Sequence, residues 1–198
     1  MTIVDQVKSK RKPSSRFKVM SVIASRFSPR VYSQEKVSET DLRVIFEAAR
    51  LAPSGRNHQP WYYFWFRKGT TAYEKVKQCI PERNSWVLSV PLIIIACYNS
   101  SEPIDGINKW AQYDLGASVI SLILQAQELG YYSRQIGSFH IEKARALFNI
   151  PNPYTPFTLI AMGKQGNDKD YQQSDKEILE KELTSWERKE KIDEKITS

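Results

Sequence analysis

Between Val37 and Phe66 the chain passes from helix to turn to strand with no slack, and that succession restricts the fold more than any other feature of the sequence. Ser38 and Thr40 offer N-cap hydroxyls beside the acid Asp41, and Leu42, Ile45, Phe46 and Ala49 supply an apolar face at helical spacing. A helix is therefore predicted to run to about Leu51, where Pro53 stops it. Pro60 pushes Gln59 into an extended conformation, and the aromatic run Trp61-Tyr62-Tyr63-Phe64-Trp65-Phe66 predicts a strand. Ser54, Asn57 and Gln59 lie between these two elements, and each both donates and accepts hydrogen bonds. Such groups suit the edge of a flat heterocycle, and they are equally the residues of which ordinary turns are made.

The remaining elements alternate in the same way, so the expected fold class is α+β. Helices are predicted over roughly Lys18 to Ala24, Thr71 to Gln78 and Ile141 to Phe148, with buried strands over Val90 to Tyr98 and Phe157 to Gly163. The longest element runs from about Ile107 to Gly130. Its apolar residues Val119, Ile120, Leu122, Ile123, Leu124, Ala126 and Leu129 surround nearly the whole helix, which calls for burial within the core or against another subunit. Gly116, Ala117, Ser118 and Ser121 would let a neighbouring helix approach closely. With 198 residues, 41% of them hydrophobic, the chain has the material for one substantial core.

The net charge of +7 raises the question of nucleic acid, but its distribution argues against such a role. Lys8, Lys10, Arg11, Lys12, Arg16 and Lys18 face the single acid Asp5, so residues 1–18 read as a basic arm, without interleaved aromatics, that is a solvated tail. The first twenty residues are too polar for a signal peptide and no apolar run is long enough to span a bilayer, so a cytoplasmic protein without membrane attachment is expected. Cys79 and Cys97 fit a reducing compartment, and His58 and His140 add too little for a zinc site, so no metal is expected. Neither a Gly-x-Gly-x-x-Gly fingerprint after a strand nor a P-loop is present.

Arg26-Phe27-Ser28-Pro29-Arg30, then Glu47-Ala48-Ala49-Arg50, then Ala52-Pro53-Ser54-Gly55-Arg56-Asn57-His58-Gln59-Pro60-Trp61 resemble, in spelling and order, the FMN-dependent nitroreductase family. Its chains open on Arg-x-Ser-x-Arg/Lys and carry Ala-Pro-Ser-x-x-Asn-x-Gln-Pro-Trp one helix later. A long helix closing on Leu129-Gly130, the turn Ile136-Gly137-Ser138 and a last strand ending at Gly163 extend the resemblance over roughly Val22 to Gly163. The resemblance implies a mixed or antiparallel sheet surrounded by helices, in a homodimer with the flavin at the subunit interface.

The resemblance further implies that Arg26, Ser28 and Arg30 bind the FMN phosphate. At alternate positions in an extended segment their side chains project to one side, and two guanidiniums with a hydroxyl between them suit a phosphate dianion. By the same resemblance, Pro53, Ser54, Gly55 and Asn57 serve the pyrimidine edge and the ribityl chain across the dimer, and Gly137 lies by backbone near N5, with Gln135 and Ile136 as neighbours. The implied activity is electron transfer from NADH or NADPH through flavin N5 to nitroaromatics, quinones or similar small electrophiles, in a ping-pong sequence that requires no side-chain catalyst. A flavin-binding storage or sensing protein without efficient turnover is the alternative.

Two departures from the family pattern stand out. After Gly163 only Lys164 and Lys169 offer to complete the phosphate site, and the link from Tyr98 to Trp110 is short, which points to an open substrate face. The expected organisation is an arm over 1–18, an FMN-binding domain over 19–170 and a charged helical extension over 171–198, with Leu179, Leu183 and Trp186 on one helical face.

Overall fold

Two strands whose side chains are buried on both faces set the architecture. In the computed structural model, which describes residues 1–13, 15, 17–101, 108–184 and 188, four strands form one antiparallel sheet. They are β1 (Trp61–Arg67), β2 (Leu92–Asn99), β3 (Tyr132–Ile136) and β4 (Tyr154–Gly163), in the order β1-β2-β4-β3. Because successive side chains alternate in direction, the central β2 and β4 send Ile93, Ile95, Cys97, Leu159 and Ala161 to one face and Leu92, Ile94, Ala96, Ile160 and Met162 to the other. The first set packs with Tyr73 and Val76 of α4 (Thr71–Lys77), Ala144 of α6 (Ile141–Phe148) and Trp86 and Val87 of a 3-10 segment (Glu82–Ser89). The second packs with α3 (Glu39–Arg50) and α5 (Ala111–Glu128). The α+β class holds.

Helix α3 forms as its pattern predicts: the Ser38 hydroxyl accepts from the Asp41 N–H at 3.0 Å, and Leu42, Ile45 and Ala49 are buried. Helix α5 buries Ala111, Asp114, Leu115, Ser118, Val119, Leu122, Ile123 and Ala126, while Tyr113, Gly116 and Ile120 form a second, exposed stripe. The start expected near Ile107 lies outside the described residues, as does Trp186 of the C-terminal face.

Strand β3 carries no apolar alternation in Tyr132-Ser133-Arg134-Gln135-Ile136, and the sequence predicts only a connection there. It is a strand because β4 offers an unpaired edge, with Tyr132 opposite Gly163 and Ile136 opposite Leu159.

The basic arm is also not a solvated tail. Residues Ile3–Arg11 form helix α1, opened by a capping box between Thr2 and Asp5, and Val7 is fully buried. Val7 joins Phe27, Val31 and Tyr171 in a small satellite core with Leu179 and Leu183 at its margin. Helices α7 (Asp168–Gln172) and α8 (Lys176–Glu182) supply the other side. The apolar positions Ile3, Val4 and Val7 recur at helical spacing, but the surrounding charge masks them.

The short helix α2 (Ser21–Ser25) leads into the basic motif, and the segment immediately after the motif fastens it to the sheet. The Ser33 N–H donates to the Lys164 carbonyl at 3.0 Å and the Gly166 N–H to that of Val31 at 3.1 Å, a bridge that ties residues 31–33 to the end of β4. Gly163 is required at this junction, since a Cβ there would lie 2.5 Å from Pro91 Cγ.

Candidate active site

Three guanidiniums converge on Ser28. From β3, Arg134 Nη1 donates to the Ser28 carbonyl at 2.6 Å, and from α1, Arg11 Nη2 donates to the same oxygen at 3.1 Å. Arg26 Nη1 lies 3.4 Å from the Ser28 hydroxyl oxygen. Phe27 and Pro29 are buried while Arg26, Ser28 and Arg30 are half-buried, the alternation expected of an extended segment. Arg11, Arg26, Arg134 and Arg188, together with Ser28, Ser133 and Gln135, line a cavity of about 240 Å³ over the free edge of β3, with Phe27 and Ile123 as its apolar wall.

Among the described residues, no carboxylate lines this cavity. A carbonyl oxygen orients a guanidinium without neutralising it. Burial lowers the Arg134 pKa to about 10, helped by Arg30 and Arg11, and burial together with Arg188 lowers that of Arg26. Burial likewise lowers Arg11, against the pull of Glu182. All three stay charged at neutral pH, so the protein holds positive charges close together in a partly dry setting. The Ser133 hydroxyl, on a residue 2% exposed, has no hydrogen-bond partner among the described residues.

Arg30 takes a different place. Its Nη1 meets Glu182 Oε1 at 3.3 Å, with the Glu182 side chain fully buried, and Arg30 lines a separate cleft with Tyr32 and Trp86. Lys164 is engaged by Glu35 at 2.5 Å, and neither it nor the exposed Lys169 reaches the arginine cavity. Among the described residues, the basic residue from the C-terminal extension that does reach it is Arg188. Of the motif residues, then, Arg26, Ser28 and Gln135 come together, and Arg11, Ser133, Arg134 and Arg188 join them. Arg11 was counted only among the charges of the basic arm, and nothing in the sequence singled out Ser133 or Arg134.

The polar turn between α3 and β1 is built differently. Gly55, Arg56 and Asn57 make a single 3-10 turn, and Pro53, Gly55 and Asn57 are exposed. Arg56, Asn57 and Gln59 all have positive φ, at 49°, 58° and 47°, in the left-handed region that non-glycine residues occupy at a cost, so Gln59 is not extended as the following proline predicts. Side-chain anchors hold the turn: the Gly55 N–H donates to Asp114 Oδ2 at 3.2 Å, and the Gln59 N–H to the Ser54 hydroxyl at 3.0 Å. One helical turn along α5, the Ser118 hydroxyl donates to the Ala49 carbonyl at 2.8 Å and lies 2.7 Å from the Tyr63 hydroxyl, locking the end of α3 to β1. Burial pushes the Tyr63 phenol up to about 12, so it remains a neutral strut. Asp114 is buried in the first turn of α5, and its anchoring role has no signal in the sequence.

None of Pro53, Ser54, Gly55 and Asn57 lines the arginine cavity. Ile136 is buried in the core behind β3, and the exposed Gly137 comes next with nothing within 4 Å of where a Cβ would stand, leaving space for a flat group against the backbone.

An arginine-lined cavity on the edge of an antiparallel sheet, with a polar loop held between α3 and β1, sets the class: an α+β domain with a strongly basic cavity. The Nitroreductase family model matches residues 23–81. A protein of Methanothermobacter thermautotrophicus, provisionally named an NADH dehydrogenase/NAD(P)H nitroreductase, is 31% identical over 154 residues, 75% of this chain and 78% of its own length. A protein of the same name from Archaeoglobus fulgidus is 29% identical over 168 residues, 79% of this chain and 90% of its own. The chain belongs to the nitroreductase family, and its general role is that of a flavin oxidoreductase. The fold agrees: a crystal structure described as an oxidoreductase containing FMN superimposes with a TM-score of 0.83 at 21% identity, over 93% of this chain and 96% of the other.

Proposed function

We propose that this protein is an FMN-dependent oxidoreductase, a homodimer that passes electrons from NADH or NADPH to nitroaromatics, quinones or similar small electrophiles. The observation that carries this reading is the cluster of guanidiniums around Ser28, whose concentrated positive charge and neighbouring Ser133 hydroxyl, unpartnered among the described residues, fit a phosphate monoester. Arg26 and Ser28 hold the phosphate. Gln135 and Gly137 border the ring from the same chain, while Pro53, Ser54, Gly55 and Asn57 meet its polar edge from the second subunit. Membership of the family and the FMN of the similar crystal structure support the choice of flavin.

The dimer accounts for surface that one chain leaves bare. Trp110 and Tyr113 are 66% and 76% exposed beside the open Gly116 and the exposed Ile120, an apolar stripe on α5 next to the loop that Asp114 anchors. In the proposed homodimer a second copy buries this stripe, beside that anchored loop.

Bound FMN would supply the redox chemistry, two-electron transfer from NADH or NADPH to a second substrate, and this chain's residues would hold and orient it. The protein orients rather than reacts. Its cations and loop amides favour added negative charge nearby, and the apolar wall of Phe27 and Ile123 limits water around the phosphate. No side-chain acid or nucleophile is assigned.

The test is reconstitution. Purified protein is expected to bind FMN with a changed visible spectrum and then to oxidise NADH or NADPH continuously with an added quinone. FMN that stays oxidised in the presence of both donors would replace this reading with flavin storage or sensing, and a folded protein that binds no FMN would end both.

A further inference from the structure

We infer that the phosphate subsite of this chain is completed by Arg134 and Ser133 of β3 and Arg11 of α1, and that Arg30, the last basic residue of the motif, serves instead to fasten the C-terminal helix. The inference rests on the proposed FMN reading and specifies how this chain carries it out.

Geometry supports both halves. Arg11 and Arg134 both donate to the Ser28 carbonyl, so a single backbone oxygen fixes two guanidiniums at the cavity, and Arg134 has more N–H donors than that oxygen can use. Arg134 is steadied from behind by the ring of Trp86, 5.7 Å from its guanidinium carbon. In a strand, adjacent side chains leave by opposite faces, so Ser133 and Arg134 both reach the cavity only because it straddles the free edge of β3. A buried hydroxyl without a partner is costly, and a phosphate oxygen in that cavity is an acceptor that would satisfy it.

Arg30 is placed elsewhere. Its charge is answered by Glu182, buried in the last turn of α8, and the pair joins the end of the motif to the C-terminal helices. The chain therefore keeps a basic residue at the motif position but uses it in a structural ion pair, while the N-terminal helix and the edge strand provide the replacement charge.

The discriminating measurement is the affinity of FMN against that of riboflavin, which has the same ring and ribityl chain without the phosphate. Titrations of the full-length protein would be followed by flavin fluorescence. The wild type is expected to prefer FMN by about 100-fold or more, from charge-assisted hydrogen bonds to a dianion. Ser133→Ala should weaken FMN by about 10-fold, leave riboflavin unchanged and leave the melting temperature of the FMN-free protein the same or higher, since it removes an unsatisfied group. A merely structural serine would lower that temperature. Arg134→Gln and Arg11→Gln should each weaken FMN by about 10- to 100-fold with riboflavin unchanged. Should either arginine variant misfold, the serine variant decides.

A wild type that prefers FMN, combined with Ser133→Ala, Arg134→Gln and Arg11→Gln proteins that keep the full preference, would overturn the inference and leave the proposed function standing. A wild type that binds both flavins equally would remove the phosphate site altogether, and the inference with it.

Discussion

The arginine cavity and the proline-bounded loop are both polar and both belong to motifs, yet one faces inward and the other outward. The cavity draws on α1, the Arg26–Arg30 segment and the edge of β3, which bring its charges together inside one chain. The loop is a short stretch whose anchors, Asp114 and Ser54, hold its backbone in place and leave Asn57 exposed. Gathering like charges requires several rigid elements, because each guanidinium must be tethered by a neutral acceptor against its neighbours' repulsion. Presenting amides to a ring edge requires only a fixed backbone. On the proposed reading, the arginine half of the site would be complete within a subunit, whereas the loop half would need a second copy.

Substitutions can break this contrast at several points. The largest effect is expected at Arg30, the motif residue that left the cavity. Arg30→Met strands a buried carboxylate, a loss of roughly 3 kcal/mol, and should lower the melting temperature by about 10 °C while the preference for FMN over riboflavin survives. Arg26→Ala reverses that outcome: FMN affinity should fall by about 10- to 100-fold, riboflavin affinity should hold, and calorimetric titration of the two flavins separates the cases. Asn57→Ala probes the loop and should weaken both flavins alike, by about 5-fold, because the lost hydrogen bond belongs to the ring that they share. Equal losses at Arg26 and unequal ones at Asn57 would invert the assignment of the two regions.

The smallest effect is expected from relieving backbone strain. Gln59→Gly, at a φ of 47°, should stabilise the protein by about 0.5–1 kcal/mol, seen as a rise of a few degrees in a thermal melt. A fall would mean that the Gln59 side chain, 3.3 Å from the Asn57 carbonyl, is worth more than the strain.

The two regions also differ in how far the sequence disclosed them. The loop was legible because its determinants are local: Pro53 and Pro60 bound it, Leu42, Ile45 and Ala49 define the helix before it, and aromatic residues define the strand after it. The central strands were legible as well, since Leu92–Asn99 is apolar on both faces. Strand β3 was not, because an edge strand with Ser, Arg and Gln at its centre is specified by the unpaired edge of β4 and not by its own pattern. Arg11, Ser133 and Arg134 share that difficulty: they are far from the motif in sequence and reach it only through tertiary structure. Arg30 is the instructive reverse. Its spacing from Arg26 and Ser28 was correct for a shared face, but its buried partner Glu182 lies 152 positions away and claims it.

The most direct test is a crystal structure of the protein grown with FMN. The phosphate is expected over the edge of β3, within hydrogen-bonding distance of Arg26, the Ser28 hydroxyl and Arg134, with Arg30 still paired to Glu182. A phosphate held by Arg30 and Lys164, with the cavity around Ser28 left to solvent, would contradict the division of labour between the two arginines of the motif.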